Sequence, residues 1–110
     1  EIAGNLTVKN NGSFMTSQGQ TSTGNTSVDG SVTLENKGIV QVAGDFKAGG
    51  KLALSKESNF SVDGKAEMKG LIVDTSHVSV GDSLTVDTTD EVLVKNGGAL
   101  SAGNTVGYSI

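Results

Sequence analysis

The sequence predicts an all-β parallel β-helix, about five coils of roughly 20 residues with three short strands in each. Three observations predict it. Gly4, Gly24, Gly44 and Gly64 recur at intervals of twenty residues. Within each interval Val, Leu, Ile and Phe alternate with small polar residues in short runs, which is the period of a half-buried strand. Turn formers separate the runs: Asp29-Gly30, Asn36-Lys37-Gly38 and Ala43-Gly44 in one block, Gly49-Gly50, Lys56-Glu57-Ser58 and Asp63-Gly64 in the next.

The blocks are residues 5–24, 25–44, 45–64, 65–82 and 83–103, and Asn104 begins a sixth. The second and third superpose by hydrophobic position: Thr26 and Val28 over Phe46 and Ala48, Val32 and Leu34 over Leu52 and Leu54, Val40 and Val42 over Phe60 and Val62. Hairpins also give alternating runs with Asp-Gly punctuation, but they do not require equal lengths before the pattern returns. A coil does. Each strand should therefore pair in parallel with its equivalent one circuit away, at a rise of about 4.8 Å. Three inward columns are expected: Val8, Val28, Ala48, Met68 and Val86; Leu6, Thr26, Phe46, Ala66 and Leu84; and Ile2, Val42, Val62 and Val80. Glycine is expected at the corners as the residue that takes positive φ without a Cβ clash. A propeller blade needs roughly 40 residues, and a leucine-rich repeat needs a leucine skeleton that this chain lacks.

Some stretches break the pattern. Gln20, Thr21, Ser22 and Thr23 stand where later blocks put apolar pairs. The fourth block is two residues short around Asp74-Thr75-Ser76, and Leu71-Ile72-Val73 leaves its inward face open. Residues 87–91 read as an outward loop, after which Leu100 and Ala102 drift by one position. Residues 1–4 match the last positions of a coil and residues 104–110 the first positions of another, so a segment of a longer, processed rod is expected.

Composition narrows the function classes. Of 110 residues only 35% are hydrophobic and four are aromatic, too few for an ordinary globular core. Without cysteine there is no disulfide framework or thiolate metal site. A net charge of −4, with eight scattered Lys and no Arg, offers no basic patch for nucleic acid. No apolar run reaches the roughly 18 residues that a membrane-spanning helix needs.

Candidate sites are few. His77 follows Asp74, Thr75 and Ser76, but residues adjacent in sequence do not by themselves assemble a nucleophile, a base and its orienter. Lys47, Lys65 and Lys69 lie near Asp45, Asp63 and Glu67 in the expected stack and read as solvated pairs. Asp82, Asp87, Asp90 and Glu91 crowd one segment that could hold a hard cation through oxygen. An ice-binding array needs Thr along one outward column, and Thr7, Ser27, Lys47, Glu67 and Thr85 break it. Sequons occur at Asn5, Asn11, Asn25 and Asn59, and the hydroxyl-rich stretch from Thr16 to Thr23 departs from the shaft pattern. A glycan platform wants an exposed aromatic ring, yet Phe14, Phe46 and Phe60 fall on or near inward columns, leaving Tyr108. No catalytic, cofactor-binding or metal-binding residue is therefore assigned, and no cofactor is expected.

The block from Asn25 to Gly44, NTSVDGSVTLENKGIVQVAG, resembles the roughly 20-residue coils of bacterial filamentous-haemagglutinin-like exoproteins exported by two-partner secretion. Autotransporter passengers look similar. The resemblance covers almost the whole chain in pattern and composition, without a site motif to carry across. It implies a right-handed coil and a secreted, surface-exposed, virulence-associated rod. The expected function is a non-catalytic shaft or adhesin segment that mediates or presents attachment to host cells or other cells. The alternative is a carbohydrate-binding or polysaccharide-degrading β-helix module. Expected partners are a host receptor or glycan engaged through the parent protein, and other copies of the chain stacked end to end; nucleic acid and membrane insertion are not expected.

Overall fold

Short alternating runs punctuated by turns give strands and corners, and the corners set which strands meet. The structure, a computed structural model, describes residues 2–16, 25–87, 92–103 and 106–109. The strands are β1 (Leu6–Lys9), β2 (Ser13–Met15), β3 (Thr26–Val28), β4 (Val32–Glu35), β5 (Ile39–Val42), β6 (Phe46–Ala48), β7 (Lys51–Leu54) and β8 (Asn59–Val62). They continue as β9 (Ala66–Met68), β10 (Gly70–Asp74), β11 (His77–Val80), β12 (Leu84–Asp87), β13 (Val92–Lys95), β14 (Ala99–Ala102) and β15 (Val106–Ser109). Every third strand pairs in parallel, giving three five-stranded sheets: β1-β4-β7-β10-β13, β2-β5-β8-β11-β14 and β3-β6-β9-β12-β15. The chain is thus an all-β solenoid with about three strands per coil.

The interior is built from like-on-like columns. In the first sheet Val32, Leu52 and Leu71 stack, as do Leu34, Leu54 and Val73. The second stacks Val40, Phe60 and Val78 beside Val42, Val62 and Val80. The third stacks Thr26, Phe46, Ala66 and Leu84. All of these side chains are buried. Burying each Val, Leu or Phe contributes roughly 1.5–3 kcal/mol relative to exposure, so a narrow interior repeated coil after coil supplies what a broad core would. The sheets are tied across the interior by Phe46 and Phe60, whose rings meet edge to face with centroids 4.8 Å apart.

The first coil departs from the expected register. Leu6 and Val8 stack on Val32 and Leu34 of the first sheet, not on Thr26 and Val28, and outward Thr7 lies beside Thr33, not Ser27. Ile2 bridges to Val28 in the third sheet and so leaves the column of Val42, Val62 and Val80. The step from Leu6 to Val32 is twenty-six residues, against twenty from Val32 to Leu52. The Gly4-to-Gly24 interval therefore does not measure a circuit. The extra length falls between β2 and β3, where the Gln20–Thr23 irregularity lies outside the described residues.

Later irregularities resolve differently. From the third coil to the fourth the first sheet steps nineteen residues, Leu52 to Leu71, and the second eighteen, Phe60 to Val78. One of the two missing residues is thus lost before Gly70, and only one at the Asp74–Ser76 corner. Leu71 and Val73 point inward and Ile72 outward, and Leu100 and Ala102 stand in register on Val78 and Val80. The expected loop at residues 87–91 is outside the described residues apart from the last residue of β12.

The corner between the first and second sheets has its own conformation. Asn10 and Asn11, Asn36 and Lys37, Lys56 and Glu57, then Thr75 alone, and finally Asn96 with Gly97 all have positive φ. Every described non-glycine residue with positive φ lies at this corner. Glycine was expected to supply that conformation, but among the described residues only Gly97 does. The other corner glycines allow close stacking: a Cβ on Gly38 would sit 2.3 Å from the Val8 carbonyl oxygen, and one on Gly49 would sit 2.2 Å from that of Asp29. Left-handed conformation costs roughly 1–2 kcal/mol per ordinary residue. Hydrogen bonds between coils offset it, the N–H groups of Asn11, Lys37 and Glu57 each donating to a carbonyl one coil on, at 3.0 Å. Asn36 adds a side-chain rung, its Nδ2 donating to Asn10 Oδ1 at 2.8 Å.

The column assignment has a direct test. Val42 is 2% exposed, whereas its neighbour Gln41 faces solvent. Val42→Asp is expected to destabilise the chain by about 3 kcal/mol or more in urea denaturation, because it buries an unpaired carboxylate. Gln41→Asp should change stability by less than about 0.5 kcal/mol. Equal losses would show that these faces are wrongly assigned.

Candidate functional surface

Because alternation sends every second side chain of a strand outward, solvent-facing chemistry is confined to three lateral faces and the corners. The second-sheet face gathers the most varied groups. Asn11, Lys37, Ile39, Glu57 and Asn59 line a groove of about 470 Å³. Glu57 and Asn59 also line an adjoining hollow of about 380 Å³ with Thr75, His77 and Gly97. The paired left-handed residues of the corner project Lys37 and Glu57 here, and β8 and β11 place Asn59 and His77 side by side in the ladder. A cation, a carboxylate, an imidazole and two amides thus border one continuous surface that can hydrogen-bond a hydroxyl-rich ligand.

The residues around His77 are directed elsewhere. The Ser76 hydroxyl is fully buried; it donates to the Asp74 backbone carbonyl at 2.8 Å and accepts the Ser58 N–H at 3.1 Å. Ser58 likewise donates its hydroxyl to the Ser55 carbonyl at 2.8 Å. These two serines stand where other coils have Gly12, Gly38 and Gly98. The Asp74 carboxylate turns to the corner, where Oδ1 accepts from Asn96 Nδ2 at 2.8 Å and from Thr75 Oγ1 at 3.0 Å. Those two bonds, first Asn96 and then Thr75, with a smaller contribution from the Lys95 charge, hold its pKa below the ordinary 3.8. Asp74, Ser76 and His77 therefore form no relay.

A second concavity, about 380 Å³, opens beside the third sheet and is lined by Asn25, Thr26, Ser27, Asp45, Phe46, Lys47, Lys65 and Glu67. Lys47 stands opposite Glu67 on the neighbouring strand. Thr26 Oγ1 is buried without a hydrogen-bond partner in the structure, at the one inward position of this column filled by a hydroxyl. Asp45 serves the backbone instead of a ligand: Asn25 Oδ1 accepts the Asp45 N–H at 2.7 Å, and Asp45 Oδ1 accepts the Lys65 N–H at 2.8 Å. Sequence reasoning missed this side-chain ladder, although Asn25 and Asp45 recurring at the head of successive blocks was its signal.

The sequons divide by the same logic. Asn5 Oδ1 accepts the Ser31 N–H at 2.9 Å, so Asn5 and Asn25 both stitch corners. Asn11 and Asn59 are exposed and share the second-sheet groove. Of the suggested cation ligands, Asp90 and Glu91 lie outside the described residues, as does the Asp87 side chain, while Asp82 accepts the Ser83 hydroxyl at 3.3 Å. Among the described residues no three His, Asp or Glu side chains converge as a metal site. The Tyr108 side chain and residues 17–23 of the hydroxyl-rich stretch also lie outside the described residues. Phe46 and Phe60 are buried and Phe14 packs against the core, so these rings are not external platforms.

The Asp74 corner predicts an acid-sensitive contribution to stability. A carboxyl whose pKa is lower folded than unfolded contributes fully above its unfolded value and loses that contribution as pH falls through the folded one. Thermal melts from neutral pH downward should show the wild type losing more stability below about pH 4 than Asp74→Asn, with the two curves parallel above it. Identical acid profiles would remove Asp74 from the corner's stabilisation. In comparisons with family models, curated proteins and solved structures the chain has no match, so the geometry itself carries the functional argument.

Proposed function

We propose that the chain is a non-catalytic shaft segment of a secreted bacterial surface adhesin, stiffening and presenting attachment sites for host cells or other cells. The supporting observation is the in-register stacking of the described strands through all three sheets, with the side chains of Asn5, Asn25, Asn36 and Asp45 hydrogen-bonded to neighbouring coils. Such a molecule resists bending because each coil is bonded to the next along its perimeter. Coils that contact only their neighbours can also form one after another, which suits a chain exported through a secretion pore. The resemblance of residues 25–44 to filamentous-haemagglutinin-like coils points the same way.

A second function, glycan binding, is favoured by one observation, the groove where Lys37, Glu57, Asn59 and His77 meet. One experiment separates the two. The whole chain is screened against a glycan array and tested for release of reducing ends from acidic and neutral polysaccharides. A shaft gives neither saturable binding nor turnover. Saturable binding that Lys37→Ala or His77→Ala weakens about tenfold, without a change in melting temperature, would replace the shaft by a glycan-binding module. Release of reducing ends would make the chain an enzyme.

A further inference from the structure

We propose that two copies of this chain pair side by side through the outward face of the first sheet, with their long axes antiparallel. Thr33, Ala53, Ile72 and Leu93 are neighbours along that face, and from Ala53 onward the row is apolar. Leu93 is 37% exposed, and Ala53 and Ile72 are partly buried. The matching outward rows are polar: Gln41, Ser61, Ser79 and Ser101 in the second sheet, and Ser27, Lys47, Glu67 and Thr85 in the third. In sequence the difference appears as unbroken apolar triplets, Leu52-Ala53-Leu54, Leu71-Ile72-Val73 and Val92-Leu93-Val94. Parallel strands read that way where both of their faces are covered. The interior covers one face. The other runs along the side of the coils, and coils stacked above or below would leave it open.

A second copy is the occupant that fits, because the charges beside the apolar row complement themselves. A two-fold axis along the strand direction, placed between β7 and β10, sets β7 against β10 of the partner and β4 against its β13. Ala53 then lies on the partner's Ile72, and Thr33 on the partner's Leu93, a small side chain against each large one. Two residues further along the strands the outward positions are Glu35, Ser55, Asp74 and Lys95. There Glu35 faces the partner's Lys95 and Ser55 faces the partner's Asp74, and the symmetry makes each contact twice. Other registers lose the match. Centring the axis on Ile72 sets Asp74 against the partner's Asp74, and laying the rods parallel sets Glu35 against the partner's Ser31. The two-fold contact closes at two copies. Four strands of about four residues offer on the order of 250 Å² per copy, from a spacing of about 4.8 Å and a rise of about 3.3 Å per residue. A standard interface covers roughly 800 Å² per partner, so the pairing is weak, with a Kd of about one millimolar. The facing charges chiefly fix its register.

The test uses the whole chain. Sedimentation equilibrium at about one millimolar is expected to show monomer and dimer. Ile72→Lys, at an outward position, should keep the circular dichroism spectrum and melting temperature while weakening the dimer by about tenfold or more. Ser79→Lys, on the second sheet, should leave the dimer unchanged. Charge reversal reads the register. Glu35→Lys alone and Lys95→Glu alone each set like charges face to face twice, and each should weaken self-association roughly three- to tenfold. Mixed in equal amounts, the two variants should pair with each other as tightly as the wild type pairs with itself, since every facing pair is again opposite in sign. Added salt should weaken that mixed pair and strengthen each variant's self-association. A chain that stays monomeric at about one millimolar would leave the face to a different protein and overturn the proposal. So would a dimer that Ile72→Lys leaves intact, or a mixture no tighter than either variant alone. None of these outcomes depends on whether the chain is a shaft or binds glycans.

Discussion

Parallel hydrogen bonding between successive coils holds neighbouring strands at about 4.8 Å, so each residue must tolerate its own equivalent directly above and below. Most of the chain's chemistry follows from that requirement. Apolar positions tolerate it well, since a Val on a Val or a Leu on a Leu excludes water from both. Where two backbones come closest, a Cβ on Gly38 or Gly49 would press on a carbonyl oxygen of the preceding coil. Where a side chain does occupy the close corner, as in Ser58 and Ser76, it is small and its hydroxyl bonds to the turn itself.

Polar groups are held by the same constraint. Asn25 and Asp45 use side-chain oxygens to bind the next coil's N–H groups, standing in for carbonyls at a corner. Asn10 and Asn36 form a rung of the same kind. Two of the four sequon asparagines, Asn5 and Asn25, are therefore structural. The groups left over, Lys37, Glu57, Asn59 and His77, face one groove because a strand and an adjacent left-handed corner aim side chains to the same flank. Attachment or recognition would fall to such a flank, since the interior is filled.

The sequence made the architecture legible where coils are equal in length. Blocks 25–44 and 45–64 superpose in the structure as their apolar alternation requires, because a step of twenty holds there in all three sheets. The first coil was misread because Gly4 and Gly24 happen to stand twenty apart while the circuit from Leu6 to Val32 is twenty-six. An evenly spaced glycine marks a corner without saying which one. The apolar pair Leu6 and Val8 fits either of two sheets, and only the length of the corner that follows β2 decides. Positive φ at Lys56 and Glu57 was also hidden, since neither residue favours it. Groove residues were harder still: they converge from different coils, and single-position motifs such as Asp74-Thr75-Ser76-His77 point away from that meeting place.

The unequal corner between β2 and β3 has an engineering consequence. Although the first coil is longer than the second, β3 returns to its place against β6 and the columns above it are undisturbed. Length added at that vertex leaves the register of the strands that follow unchanged. Foreign peptides grafted between those two strands would keep the spacing of the coils, turning the scaffold into a ruler for displaying epitopes.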